Sequence, residues 1–526
     1  MAQAPPSAEA RGGGGSGAGA AAPRAARPFF STTTSFPVGR LPGFSGMKGV
    51  ITQGGHAASG PARAATLPLR TGWHYHLIGG SLTMIVLVLC GLYSRQRRSS
   101  TKKQPNEEKH TVSQYMHLLK VLGPGLMVCL ADSDIGGLFT MAEAGSKTGY
   151  ALVLLQLLLV PVLYAVQEMV VRLSVCRKQG LIVLARQEMG NAAGGLLAVV
   201  MVLLGVFATM SEFSGIVAVG EFFGLSGFES CLGASLLLTA VVLPGKYGVV
   251  EQAGLALGAC LGVFLVAAAL SRPPWGEVAR AVVQPPLQGV PASAKIGEIV
   301  LANIGTVVTP WMLFYQASAI VEKQLSVGDL SMARLDTLIG SVVTQLVMCA
   351  VLITFAVRAR DLDLQTLNMG QVFLVPLEPL LGHTWTKLSL TCGLLGSSLL
   401  ATLVISLGIA WNLTEYYKVG EVVGAASASG KATSSPLFRV LFVSTIMLSA
   451  AVVSSECIGI MRLNILIQIL NGTLMPLVVG YVFYLASCCH VLPPEHRVRG
   501  VYAVTVGIMV FLCSGLALSL AVKTFA

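Results

Sequence analysis

Long apolar stretches separated by short polar loops follow one another along most of the chain after residue 116. A membrane span needs ~20 mainly apolar residues, and eleven stretches meet that requirement. We place these spans near residues 117–146, 150–175, 194–220, 230–245, 251–270, 297–322, 335–357, 387–411, 437–455, 463–486 and 501–522. An extra apolar run, Leu77–Tyr93, is at the short limit for a span. The pattern therefore predicts an all-α polytopic membrane protein.

Two of the eleven predicted spans, the first and the sixth, are interrupted near their centres by helix-breaking residues. The first break reads Ala-Asp-Ser-Asp-Ile-Gly-Gly over Ala131–Gly137, and the second reads Gly-Thr-Val-Val-Thr-Pro-Trp over Gly305–Trp311. Paired interrupted helices in two halves of a chain point to a transporter's ion site. The first and sixth helices are equivalent in a five-plus-five inverted repeat, so the spacing predicts a LeuT-like architecture.

Asp134 is the charged residue inside the first break. It follows Gly123-Pro124-Gly125 by about ten residues, or about 15 Å of helix, which places it near the middle of the hydrocarbon layer. A carboxylate at that depth costs roughly 3 kcal/mol, so we expect it to bind a transported cation. The structural alternative is a cap on the second half-helix, and both roles are compatible. Asp132, half a helical turn away, is expected to face water or a polar neighbour.

The second break offers neutral oxygen groups. Pro310 lacks a backbone N–H, which frees a carbonyl near Thr306, and Thr309 adds a hydroxyl. Asn303 and Gln316 lie on either side. Oxygen ligands suit Mg²⁺, Ca²⁺ or Mn²⁺, whereas the softer transition metals prefer thioether or imidazole, and neither break contains Met, Cys or His.

Two further polar residues lie inside predicted spans. Glu212, in the third span, is either a proton relay or a structural partner for a polar group on a neighbouring helix. Gln468, in the tenth span, either forms hydrogen bonds between helices or is an ion ligand. The sequence leaves both alternatives open.

Composition agrees with a membrane protein, because only 11% of the 526 residues are charged against about 25% in soluble domains. The net charge of +11 is concentrated before the main body: residues 1–76 hold seven Lys/Arg against one acid, and residues 94–110 hold six against two. The body is nearly neutral, so its expected surrounding is the lipid bilayer and we expect no nucleic-acid partner. The eleven cysteines form no CxxC motif, and no nucleophile–base pair, phosphate loop or cofactor motif is present. We therefore expect neither an enzyme nor a cofactor.

The chain divides into three predicted regions. Residues 1–76, rich in Gly, Ala, Ser, Pro and Arg, are expected to be disordered, either as a plain tail or as an organellar transit peptide. Residues 77–110 form an extra helix followed by a basic cytosolic linker, and residues 111–526 form the transporter domain. A transit peptide implies an organellar envelope, whereas a plain tail implies the plasma membrane or an endomembrane. The oligomeric state stays open.

Both breaks resemble signatures of the NRAMP divalent-metal transporters. Asp134–Gly137 is similar to that family's Asp-Pro-Gly-Asn, and Thr309–Gln316 (Thr-Pro-Trp-Met-Leu-Phe-Tyr-Gln) is similar to its Met-Pro-His-Asn-Leu-Tyr-Leu-His. The resemblance runs from about residue 117 to residue 522. It implies a divalent metal ion as substrate. The metal site it implies comprises Asp134, the carbonyls of Ala131 and Thr306, Gly137 in place of the family's Asn, Thr309 and Gln468.

The departures from the family signatures narrow the choice of transported ion and transport mode. Gly137 replaces the Asn, Thr309 the Met, Trp311 and Gln316 the two His, and Thr209 a third-helix Asp. This pattern is similar to the NRAMP-related magnesium transporter branch, which implies uncoupled, uniport-like transport of Mg²⁺ and also Mn²⁺. Losing an Asn ligand also predicts extra volume for a partly hydrated ion. The alternatives are a proton-coupled Mn²⁺/Fe²⁺ transporter that uses Glu212, a non-transporting sensor or scaffold, and a sodium-coupled carrier of organic solutes.

Overall fold

The computed structural model describes residues 123–284, 296–360, 362–421, 433, 435–455, 460–488 and 490–525. The predicted regions 1–76 and 77–110, including the extra helix Leu77–Tyr93, lie outside these residues. The described part is helical, and its α-helices in chain order are α1 Pro124–Asp132, α2 Ile135–Thr148, α3 Val153–Arg177, α4 Leu181–Met189, α5 Asn191–Glu221, α6 Gly227–Val242, α7 Tyr247–Ala259, α8 Gly262–Leu270, α9 Trp275–Val283, α10 Ile296–Val307, α11 Pro310–Glu322, α12 Leu330–Arg358, α13 Met369–Leu381, α14 His383–Leu390, α15 Gly396–Glu421, α16 Pro436–Ser454, α17 Ile460–Ser487 and α18 Gly500–Phe525.

The first predicted break is present between α1 and α2. Pro124 begins α1, because proline is tolerated at the first turn of a helix, and Asp134 is the N-cap of α2. The axes of the two half-helices are bent by 50° at the break. Side-chain capping by Asp134 and the flexibility of Gly136 and Gly137 make two short helices more stable here than one continuous helix.

The second predicted break is present between α10 and α11. Thr309 precedes α11 in extended backbone geometry, and Pro310 occupies its first turn. The first broken helix is followed by α3, α5, α6 and the joined helices α7 and α8. The second is followed in the same way by α12, the joined helices α14 and α15, α16 and α17. The two broken helices therefore occupy equivalent first and sixth positions. A π-helical turn, Thr391–Leu395, joins α14 to α15.

Helix length and composition support many membrane spans. Among the described residues, eight helices or joined helices are long and apolar enough to cross a membrane, and the bent pair α1–α2 raises the number to nine. Two apolar stretches are shorter: α6, Gly227–Val242, and the part of α18 over Gly500–Leu516. The count of eleven core spans stays a prediction.

The two broken helices lie in the interior of the bundle. α12 packs along both halves of the first broken helix and along α3, and every residue of α2 from Ile135 to Ser146 is buried. Large apolar side chains are instead exposed on the outer faces, such as Val199 on α5, Leu236 on α6 and Phe511 on α18. An apolar exterior around buried polar residues is expected of a protein surrounded by lipid.

Candidate ion site

Asp134 lies at the first break with a side chain that is only 3% exposed. Its Oδ1 accepts a hydrogen bond from the Gly137 amide at 2.6 Å, so the capping role predicted for this residue is present. The Ile135 amide donates to Glu212 Oε2 at 3.3 Å rather than to the Ala131 carbonyl. The Ala131 carbonyl therefore lacks its helical donor, as a backbone ion ligand requires.

The second break presents its oxygens close to the first. Pro310 has no N–H, so the carbonyl of Thr306, a residue that is 1% exposed, also lacks its helical donor. Thr309 is fully buried, and its Oγ1 donates to Asp132 Oδ1 at 3.3 Å. This hydrogen bond joins the two breaks directly, and it confirms that Asp132 faces a polar neighbour.

Gln468 lies against both broken helices. Its side-chain nitrogen is so close to Gly136 that a Cβ there would overlap it, and its backbone carbonyl is equally close to Gly305. Asn471 Nδ2 donates to Gln468 Oε1 at 3.1 Å. Gln468 therefore contacts α2 through its side chain and α10 through its backbone, which places it next to both breaks.

Glu212 is fully buried beside the first break. Its Oε2 accepts from the Ile135 amide, and the Ser398 side chain on α15 is a further hydrogen-bond partner of the carboxylate. Of the two roles left open by the sequence, the structural one is visible, because Glu212 holds the first amide of α2.

Met348 on α12 is a neighbour of the site that the sequence did not indicate. A Cβ built on Gly137 would lie 2.7 Å from Met348 Cε and 3.1 Å from Asp134 Oδ1. The extra volume expected at Gly137 is therefore occupied in this conformation, and that expectation is wrong here. Met348 also places a thioether side chain beside a break where the sequence showed only oxygen groups. No local pattern could have identified it, because it belongs to another helix.

Two polar residues that flank the second break point away from Asp134. Asn303 accepts from Gln156 Nε2 at 2.6 Å, and Gln316 Nε2 donates to Thr337 Oγ1 at 3.1 Å. Gln316 lines a tightly packed crevice at the end of the bundle where α1 begins. The other residues lining it are Pro124, Gly125, Val171, Ile320, Leu325, Ala333, Asp336 and Thr337.

Polar contacts hold the end of the bundle where α1 begins. Asp336 accepts hydrogen bonds from the amides of Gly123 at 3.1 Å and Gly125 at 2.7 Å. Lys323 forms an ion pair with Glu251 at 2.7 Å, with 9% and 12% of the two side chains exposed. These contacts fasten the first half-helix to its neighbours.

The ligands available at the breaks are few and mixed. Within the described ranges, no group of three or more His, Cys, Asp or Glu residues could hold a metal ion. The oxygen groups nearest the two breaks are the carboxylates of Asp132 and Asp134, two backbone carbonyls and the Thr309 hydroxyl. Such a set suits hard divalent ions.

The fold and the two joined breaks define a helical membrane protein of the LeuT-like class. Residues 125–523 match the Nramp family, described as natural resistance-associated macrophage protein-like. Because this match covers most of the chain, the protein belongs to that family.

Similar proteins agree with this assignment. The divalent metal cation transporter MntH of Ralstonia nicotianae is 29% identical over 251 residues, which cover 45% of this chain and 56% of that relative. A mutant of the manganese transporter of Eremococcus coleocola superposes with a TM-score of 0.64 at 18% identity, covering 79% of this chain and 88% of the other. A Na⁺-coupled sialic acid symporter gives a TM-score of 0.52 at 11% identity, covering 85% and 97%. These likenesses confirm the predicted LeuT-like fold.

Proposed function

We propose that this protein moves divalent metal ions across a membrane by alternating access around Asp134. Family membership supports this, as do the manganese and divalent-cation transporters among its relatives. The buried break geometry supports it independently. Two backbone carbonyls without helical donors lie beside a carboxylate in the interior of an apolar bundle, where a cation is the natural partner.

We propose Mg²⁺ as the main substrate, with Mn²⁺ also carried, in an uncoupled, uniport-like cycle. The observation that carries this choice is the Thr309 hydroxyl, which reaches across the gap between the breaks where the resemblance has a methionine. A hydroxyl favours a hard ion. The membrane potential alone is sufficient to drive uptake, since two charges crossing 100 mV gain roughly 4.6 kcal/mol.

The test is Mg²⁺ and Mn²⁺ influx into proteoliposomes that contain the full chain. Asp134→Ala should abolish influx, because it removes the charged ligand at the break. Glu143→Gln is the matched control, since Glu143 is on the same half-helix and pairs with Lys147 instead. Unaltered influx in Asp134→Ala would show that Asp134 does not bind the transported ion. Metal binding without influx in the unmodified protein would support the sensor or scaffold alternative.

Proton-coupled Mn²⁺/Fe²⁺ transport is the second candidate, and Glu212 favours it. Its fully buried carboxylate beside the first break is a place for a proton next to Asp134. Acidification of the vesicle lumen during Mn²⁺ entry, lost in Glu212→Gln, would establish coupling. Mg²⁺ or Mn²⁺ entry without acidification supports the uniport.

Thr309→Met tests whether Thr309 faces the ion. The thioether would add a soft ligand to the gap, so Cd²⁺ should compete with Mn²⁺ uptake at least ~10-fold more strongly than in the unmodified protein. The measurement is the Cd²⁺ concentration that halves Mn²⁺ influx. No gain in Cd²⁺ competition would show that the Thr309 side chain lies outside the ion's coordination shell.

The protein is an integral multi-pass membrane protein. We propose that residues 1–76 target it to a particular cellular membrane. Imaging of the fluorescently tagged full chain beside a chain lacking residues 1–76 tests this. Loss of organellar location on deletion supports a transit peptide. An unchanged location means that the segment is a plain tail.

A further inference from the structure

We propose that Asp132 is a second carboxylate ligand of the transported divalent ion. The inference deepens the proposed function and rests on it, since it concerns the same gap between the breaks. It assigns an acidic ligand two residues before Asp134, outside the four residues that resemble the family signature.

The burial of Asp132 is the first observation. The side chain is 1% exposed, and its Oδ2 has no hydrogen-bond partner among the residues described. Removing a carboxylate from water costs several kcal/mol unless its oxygens are paired. An unpaired carboxylate oxygen in the interior of an apolar bundle is therefore a favourable ligand for a cation.

The position of Asp132 is the second observation. Its Oδ1 accepts from Thr309 Oγ1, so the carboxylate lies on the side of α1 that faces the second break. The backbone of Asp132 is also close to the start of α2: a Cβ at Gly137 would lie 3.4 Å from the Asp132 carbonyl oxygen and 3.1 Å from Asp134 Oδ1. The Asp132 carboxylate thus faces the second break from the same short segment that contains Asp134.

Charge balance explains why a second acid is useful here. A single carboxylate leaves one positive charge of a divalent ion uncompensated, whereas two carboxylates neutralise the ion in a region where water cannot. The Thr309 hydroxyl satisfies Oδ1 of Asp132, and Oδ2 is the oxygen that would bind the ion.

The first test is Mn²⁺ binding to the purified full-length protein, followed by electron paramagnetic resonance of free Mn²⁺. Asp132→Asn keeps the shape and removes the charge, so the Kd for Mn²⁺ should rise at least ~10-fold, as it should in Asp134→Asn. The charge-matched control Glu143→Gln should bind as the unmodified protein does. A Kd within twofold of the unmodified value in Asp132→Asn, with weak binding in Asp134→Asn, would overturn the inference and leave Asp132 as a structural partner of Thr309.

The second test substitutes one ligand for another and does not depend on the Asn variant being stable. Asp132→Cys should shift the preference toward Cd²⁺ over Mn²⁺ at least ~10-fold and add a cadmium–thiolate charge-transfer band, whereas Asp132→Ser should do neither. A structural role predicts no difference between these two variants. If Mn²⁺ binding survives in both Asp132→Asn and Asp134→Asn, the proposed ion site itself is wrong, which is a distinct result.

Discussion

At the residue scale, a methionine beside a carboxylate gives the gap between the breaks a mixed chemical character. Met348 Cε and Asp134 Oδ1 both lie near the position that a Cβ at Gly137 would take. The oxygens favour hard ions, whereas a thioether that rotates toward the gap adds affinity for soft ones. We therefore expect selectivity at the proposed site to depend on a side chain from α12 as well as on the two breaks.

Met348→Leu separates the sulfur from the volume that it fills. The substitution keeps the bulk of the side chain, so Mg²⁺ uptake should stay within about twofold of the unmodified value. Cd²⁺ competition against Mn²⁺ uptake should weaken severalfold, because the soft ligand is lost. Met201→Leu, at a buried methionine on α5 that contacts Gly408, is the control. Equal Cd²⁺ competition in both variants would show that the Met348 sulfur does not reach the ion.

At the element scale, close packing of backbones holds the second broken helix in place. A Cβ at Gly305 on α10 would lie 2.8 Å from the Gly472 amide nitrogen of α17 and nearer still to the Gln468 carbonyl. Because the neighbouring atoms belong to the backbone, they cannot rotate away as a side chain does. Glycine at Gly305 therefore fixes the distance between two helices that contribute to the site.

Gly305→Ala should push α10 and α17 apart. We expect a loss of about 1–3 kcal/mol in stability from overpacking, seen as a lower melting temperature in detergent, and at least ~10-fold slower metal uptake. Gly480→Ala is the matched control on α17, since a Cβ there meets nothing within 4 Å. That variant should be neutral or slightly more stable, because alanine favours helices. An unchanged melting temperature in Gly305→Ala would contradict the packing described.

The sequence predicted the elements well and their contacts poorly. Asp134, Pro310 and the neighbouring glycines act on the backbone within one turn, so both breaks were evident from local residue types. Met348 beside Gly137 and the Thr309 hydrogen bond to Asp132 depend on helix rotation and crossing angle. Those quantities are set by packing over the whole bundle, so the periodicity of a single helix does not contain them.

At the scale of the whole molecule, polar contacts fasten the start of α1 at the end that the charge pattern predicts to be cytosolic. Asp336 on α12 binds the amides at the start of α1, and the ion pair between Lys323 and Glu251 lies beside it. A carboxylate at a helix N-terminus is favoured by both hydrogen bonding and the helix dipole. Opening toward this side requires α1 to release Asp336.

Asp336→Asn should weaken the attachment of α1 to α12. Hydrogen bonds to a charged acceptor are worth about 1.5–3 kcal/mol, so amide hydrogen exchange in the peptide over residues 123–132 should accelerate at least ~10-fold. Glu188→Gln, which removes a comparable ion pair with Arg177, should leave that peptide unchanged. Identical exchange in the two variants would show that α1 is held by packing alone.

The hydrogen bond between Thr309 and Asp132 has a consequence for the transport cycle. It joins the two breaks through side chains of the protein itself, so we expect the two broken helices to move together whether or not an ion is bound. A carrier that reorients as readily empty as loaded shows little trans-stimulation, which means that metal ions on the far side of the membrane barely accelerate uptake. Thr309→Val removes the bridge, and the ratio of exchange to net flux should then rise above one.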